Sequence, residues 1–126
     1  MNDYLDVPES IVTRLRAACA HLPEAYEEQA FAGVRWRIRG NTLVHVVTRD
    51  RPEGVVTYMT FHSRGAEADA LVASGDPFFP GWGGGLVSMV LREDGTDWEE
   101  VKELVTDSYC HLAPKKLIAL LDLPNP

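Results

Sequence analysis

Five residues near the C-terminal end, Asp107-Ser108-Tyr109-Cys110-His111, place a carboxylate, a hydroxyl, a phenol, a thiol and an imidazole side by side. Nucleophilic catalysis needs the nucleophile within hydrogen-bond reach of its base. On a helix Asp107 and His111 share a face, whereas Ser108 and Cys110 point elsewhere. The segment therefore assembles no nucleophile–base pair, and Tyr109 and Cys110 are expected in the core or at its rim. Glu27 and Glu28, next to Glu24, offer paired carboxylates. Acid–base work by such a pair requires surroundings that split their pKa values, which sequence does not supply. His45 and His62 are expected to be satisfied sheet residues rather than bases or ligands. Cys19 with His21, and Cys110 with His111, match no standard zinc spacing. Gly83-Gly84-Gly85 lacks the Gly-Lys-Ser/Thr ending of a phosphate loop and precedes a strand, so it reads as a flexible or tightly crossing loop. No catalytic constellation, metal site or cofactor is expected.

Binding chemistry is better represented. Arg35, Arg37 and Arg39 alternate with Trp36 and Ile38, and Arg49, Arg51 and Arg64 stand in neighbouring segments. Residues 33–64 carry net charge +4, between −4 for residues 1–32 and −7 for residues 65–126. Arginine makes planar, bidentate contacts to phosphate that lysine does not. Two readings are open. The island is a footprint for weak, salt-dependent DNA binding, or it is the wet face of a sheet paired with acids from elsewhere. A second candidate surface is aromatic: Phe78, Phe79 and Trp82, beside Tyr58 and His62. These residues form either a lid on the core or a contact site for a protein or small molecule.

The elements that must position these groups follow from periodicity. Ile11, Val12, Leu15, Cys19 and Leu22 recur at helical spacing, with Asp6 as cap, Pro8 and Glu9 in the first turn and Pro23 as stop. "EAYEEQAFAG" is mixed, with a weak start of a sheet at Ala30–Ala32. Val34–Gly40 alternates as a strand, Gly40-Asn41 signals a hairpin, and Thr42–Arg49 is the return strand. Arg49–Gly54 reads as a polar loop and Val55–His62 as a third strand. Ala66–Ala73 is a short helix, Pro77–Gly85 an aromatic, glycine-rich loop, and Leu86–Leu91 a buried strand. Thr96 with Glu99 suggests a capping box for a helix carrying Trp98, Val101, Val105 and Leu112. Pro114 breaks it before a last piece, Lys115–Leu121. The order α-β-β-β-α-β-α implies an α+β two-layer sandwich, an antiparallel sheet with its helices mainly on one face. In the hairpin, a three-residue turn is favoured because it groups Val44 and Val46 with Trp36 and Ile38 in the core.

A length of 126 residues, 45% hydrophobic and 25% charged, fits one domain, residues 1–126, able to bury a core without staples. "MNDYLDVPES" has no signal-peptide character and no run is long enough to span a bilayer, so a cytoplasmic protein with no membrane partner is expected. "LPEAYEEQAF", "WRIRG", "TYMTFHS", "DPFFPGW", "DWEEV" and "DSYCHLAPKK" together resemble the MmcQ/YjbR family over residues 22–121. The resemblance implies a compact α+β fold. It also implies a DNA-binding role, since members are commonly so labelled on the strength of a double-wing-like fold. It brings no catalytic residue. The chain departs from the family where many members have a basic "H-x-N-K-x-H-W" stretch; here that region reads "FPGWGGGLV".

Overall fold

The computed structural model describes residues 3–121, so both ends of the expected 1–126 domain lie outside the described residues. Alternation of apolar and polar residues dictates the central strands. β3 (Val34–Ile38) buries Val34, Trp36 and Ile38 and turns Arg35 and Arg37 to the other side. β4 (Asn41–Arg51) and β5 (Gly54–His62) continue the antiparallel meander. β7 (Leu86–Val90) pairs with β5, β6 (Phe78–Pro80) with β7, and β2 (Tyr26–Gln29) with β3. The sheet order is β2-β3-β4-β5-β7-β6, and a short β1 (Tyr4–Leu5) pairs with β4.

One face of this sheet carries the core. α1 (Glu9–Cys19) contributes Ile11, Val12, Leu15 and Cys19, and α3 (Trp98–Leu112) contributes Val101, Leu104, Val105 and Tyr109. They meet Trp36, Ile38, Val44, Val46, Met59, Phe61, Val87 and Met89 from the sheet. α2 (Gly65–Ala73) lies against β6 and β7 with no fully buried residue, and α4 (Lys115–Ile118) adds Leu117. The α+β sandwich with an antiparallel sheet is therefore the architecture. Among the described residues no helix is long and apolar enough to cross a membrane.

Several expectations are corrected. β1, β2 and β6 were not anticipated. Tyr26–Gln29 is the strand, while Ala30–Ala32 belongs to the turn that follows. Arg49–Gly54 is not a loop: Arg51 pairs with Gly54 and only Pro52-Glu53 turn the chain. Asp6 does not cap α1, which starts after Pro8 without a side-chain cap. Asp97, not Thr96, caps α3, accepting from the N–H groups of Glu99 and Glu100. Thr96 instead accepts from the N–H of Arg92.

The hairpin turn is Arg39-Gly40, with Ile38 paired to Asn41 and φ of 50° and 82° at the two turn residues. Positive φ at both positions matches a primed turn, whose twist suits paired strands. A bulge then offsets the register: Arg37 faces Thr42 but Trp36 faces Val44, leaving Leu43 as the extra residue. The outcome puts Val44 and Val46 in the core and His45 with Arg35, as favoured, although the turn is shorter than expected.

Candidate functional site: a cleft on the arginine face

Strand pairing aligns one residue from each of six strands in a row across the face opposite the helices. The row runs Glu28, Arg35, His45, Thr60, Ser88, Phe79. Glu28 binds Arg35, whose Nε donates at 2.7 Å. The Thr60 and Ser88 hydroxyls are 2.7 Å apart and buried. Tyr58 and Phe79 meet edge-to-face, with ring centroids 5.3 Å apart.

A cleft of about 400 Å³ opens on this row, lined by Arg35, His45, Thr60, His62 and Trp82, with Asn41, Thr42, Leu86 and Leu112 around them. Its volume lies in the range of small-molecule sites. His45 places Nε2 2.6 Å from the Ala32 carbonyl, and His62 places Nε2 3.2 Å from the Thr42 carbonyl. A carbonyl only accepts, so each Nε2 carries the proton and each Nδ1 is left as an acceptor. Burial pushes the His62 pKa below its usual value, and the nearby charges of Arg64 and His111 push the same way, against the hydrogen bond to Thr42. Trp82 is 86% exposed at the cleft.

The position of His62 is set by a hydroxyl from another element. The β4–β5 ladder ends at the Val44–Phe61 pair, one step short of Leu43 and His62. Ser108 on α3 fills the gap: the His62 N–H donates to Ser108 Oγ at 3.0 Å, and Ser108 donates to the Leu43 carbonyl at 2.5 Å. Ser108 is thus a bridge within the sheet rather than a nucleophile. Tyr109 is buried in the core and donates to the Pro23 carbonyl at 2.8 Å. Burial raises the pKa of Asp107, with Glu67 adding to the rise. Both cysteines are free thiols; burial raises Cys110 and pushes Cys19 up to about 12.

The arginine island is largely paired. Glu28 holds Arg35 and, at 3.5 Å, Arg37; Arg37 also donates to the Gly40 carbonyl. Glu24 holds Arg39 at 2.9 Å, and Asp3 holds Arg49 at 2.8 Å. Arg51 and Arg64 make no ion pair among the described residues. The hydrogen bonds to these arginines lower the pKa values of Glu28, Glu24 and Asp3. Glu27 does not join Glu28. Strand alternation turns it to the helix face, where Arg16 binds it through two nitrogens at 2.8 and 3.0 Å.

Of the five aromatic-surface candidates, His62 and Trp82 line the cleft, and Tyr58 with Phe79 lies beside it on the same face. Phe78 does not belong to that surface. The period of two in β6 sends it into the core, where it is 8% exposed. Asn41, Thr42, Thr60, Leu86 and Leu112 are the cleft residues that sequence reasoning did not select, and His45 was expected only as a satisfied sheet residue. His45 lies two positions before Val47 on a strand already placed beside the arginines, but only the register tells which way it faces.

Residues 20–111 match the YjbR family. The chain belongs to the YjbR family. No curated protein matches it. A crystal structure of Deinococcus radiodurans protein DR2400, with domain type DUF419, is similar to this YjbR chain with a TM-score of 0.60 at 20% identity. The similarity covers 90% of this chain and 88% of that one. At that identity the likeness concerns the fold. The YjbR membership carries the family but assigns none of the cleft residues a role.

Proposed function

We propose that this YjbR protein is a non-enzymatic binding module that takes a small, flat molecule with hydroxyl or N–H donors into the sheet-face cleft. The observation that carries the reading is the convergence of His45, His62, Arg35 and Trp82 on one concavity of suitable size. Two imidazoles, each with one nitrogen spent on a backbone carbonyl, offer acceptors to ligand donors. Leu86 and Leu112 supply apolar wall, Trp82 a face for stacking, and Arg35, held in place by Glu28, a guanidinium plane for an aromatic ring. The DNA reading competes for the same arginines. A backbone phosphate would have to displace the carboxylates that hold Arg35, Arg37, Arg39 and Arg49.

The test is a thermal-shift screen with planar hydroxy- and amino-aromatic compounds. Compounds that raise the melting temperature of the wild type are expected to leave a Trp82→Ala variant unmoved. That variant should fold normally, because an exposed side chain away from packing contributes within about 0.5 kcal/mol. Equal responses from both proteins would refute the cleft. Titration of labelled duplex DNA at two salt concentrations, with wild type and the Arg35/Arg37/Arg39→Ser variant, separates the competing reading. Salt-dependent binding lost in the variant would favour DNA; negligible binding by both is expected.

A further inference from the structure

A second cleft, of about 820 Å³, lies between α2 and the loop joining β6 to β7. Its lining includes Ser63, Arg64, Gly65, Asp69 and the run Gly83–Gly85. Arg64 precedes α2 without capping it through its side chain. The N–H groups of Gly65, Ala66 and Glu67 therefore meet no protein acceptor among the described residues, and neither do those of Gly83, Gly84 and Gly85. The Ser63 N–H donates to the Gly85 carbonyl at 3.0 Å, tying the loop to the helix start. The Arg64 side chain runs along Gly85: a Cβ built there would lie 3.9 Å from Cγ and 4.0 Å from Nε. Among the described residues Arg64 has no carboxylate partner.

The independent observation is Ser63. It is 3% exposed, and its hydroxyl makes no hydrogen bond. A buried hydroxyl without a partner is unfavourable, and folded proteins rarely keep one without a use. Here it stands in the wall of a cleft that also holds a helix N-terminus, a free guanidinium and unspent loop N–H groups. A helix N-terminus attracts anions through its aligned N–H groups, and arginine adds charge-assisted, directed bonds. The glycine run lacks a following helix of its own, but α2 supplies one from earlier in the chain.

We infer that this cleft binds a tetrahedral phosphate group, as free phosphate or as the phosphoryl end of a small molecule. The site is separate from the sheet-face cleft and does not depend on that reading. Asp69, also in the lining, and Glu67, in the first turn of α2, oppose a diffuse negative charge. They leave the advantage to an anion that accepts several short hydrogen bonds at once.

The experiment follows backbone amide resonances of the full chain during titration with inorganic phosphate, against sodium chloride at matched ionic strength. Shifts are expected at Gly65–Glu67 and Gly83–Gly85. Arg64→Gln and Ser63→Ala are each expected to weaken binding roughly tenfold, the loss of one hydrogen bond to a charged group. Ser63→Ala should also keep or raise the melting temperature, because it removes an unsatisfied hydroxyl; a merely structural serine would not combine these two results. Parallel titration with glycerol phosphate separates the sources: tighter binding of the ester identifies a phosphorylated small molecule, and equal or weaker binding identifies free phosphate. Shifts no larger than those with chloride, or identical affinity in wild type and both variants, overturn the site.

Discussion

At the scale of single residues, the decisive group is the Ser108 hydroxyl. It links Leu43 of β4 to His62 of β5 just beyond the end of their ladder, and it does so from a helix. Ser108→Ala leaves the His62 N–H and the Leu43 carbonyl buried without a partner. Unmade bonds of this kind cost about 1–3 kcal/mol each, so denaturant unfolding should show a loss of about 2–6 kcal/mol. A loss under about 0.5 kcal/mol would mean that water replaces the hydroxyl. The same bridge holds His62 at the cleft, which yields a second expectation. His62 accepts ligand protons only while neutral, and its pKa lies below 6.5. Affinity for the screened compounds should be constant from about pH 8 to 6.5 and fall below that; a fall between pH 8 and 7 would contradict the assignment. Sequence shows that Asp107–His111 is rich in reactive groups. It does not show how they are used, because the partners of Ser108 are 46 and 65 positions away.

At the scale of elements, β3 is legible because charge and apolarity alternate strictly along it. β2 is illegible for a related reason. Tyr26–Gln29 carries acids on both faces, Glu27 for Arg16 on α1 and Glu28 for Arg35 on β3, so no apolar alternation marks it. Backbone pairing with β3 makes it a strand, and ion pairs with two different elements accommodate its acids on both faces, which only tertiary structure reveals. β6 is too short and too proline-rich to announce itself, yet it sorts Phe78 into the core and Phe79 onto the outer face. The hairpin was half legible: glycine marked the turn, but the turn begins one residue earlier, at Arg39. Because Gly40 sits at φ 82°, Gly40→Ala is expected to cost roughly 1–2 kcal/mol. Arg39→Asn should instead hold or raise the unfolding midpoint, since asparagine tolerates the left-handed conformation that arginine adopts there. A marked fall for Arg39→Asn would show that its pairing with Glu24 outweighs the turn.

At the scale of the whole molecule, the +4 island pairs with acids of the N-terminal segment, Asp3, Glu24 and Glu28, rather than standing bare. Sequence gives the charge asymmetry; the pairing depends on a strand that sequence hides. The consequence is a stability that depends on pH in two stages. His21 and His62 have pKa values below 6.5, chiefly through burial. The unfolded chain therefore binds more protons than the folded one as pH falls below 6.5, and stability drops from there. Glu24, Glu27 and Glu28 have pKa values below 4.5, and Asp3 below 3.8, each chiefly through the hydrogen bond from its arginine. Their stabilisation is present above those values and is lost as pH falls through the folded ones, which makes the second stage steeper. Asp107 acts in the opposite sense. Its raised pKa favours the protonated folded form, so it offsets part of the loss in acid. Urea midpoints should be level from about pH 8 to 7, decline gradually below 6.5 and fall sharply below 4.5. Substituting Glu28→Gln should blunt the second stage and leave the first intact. A midpoint that stays level down to pH 4.5 would show that the two histidines gain a proton without cost to the fold.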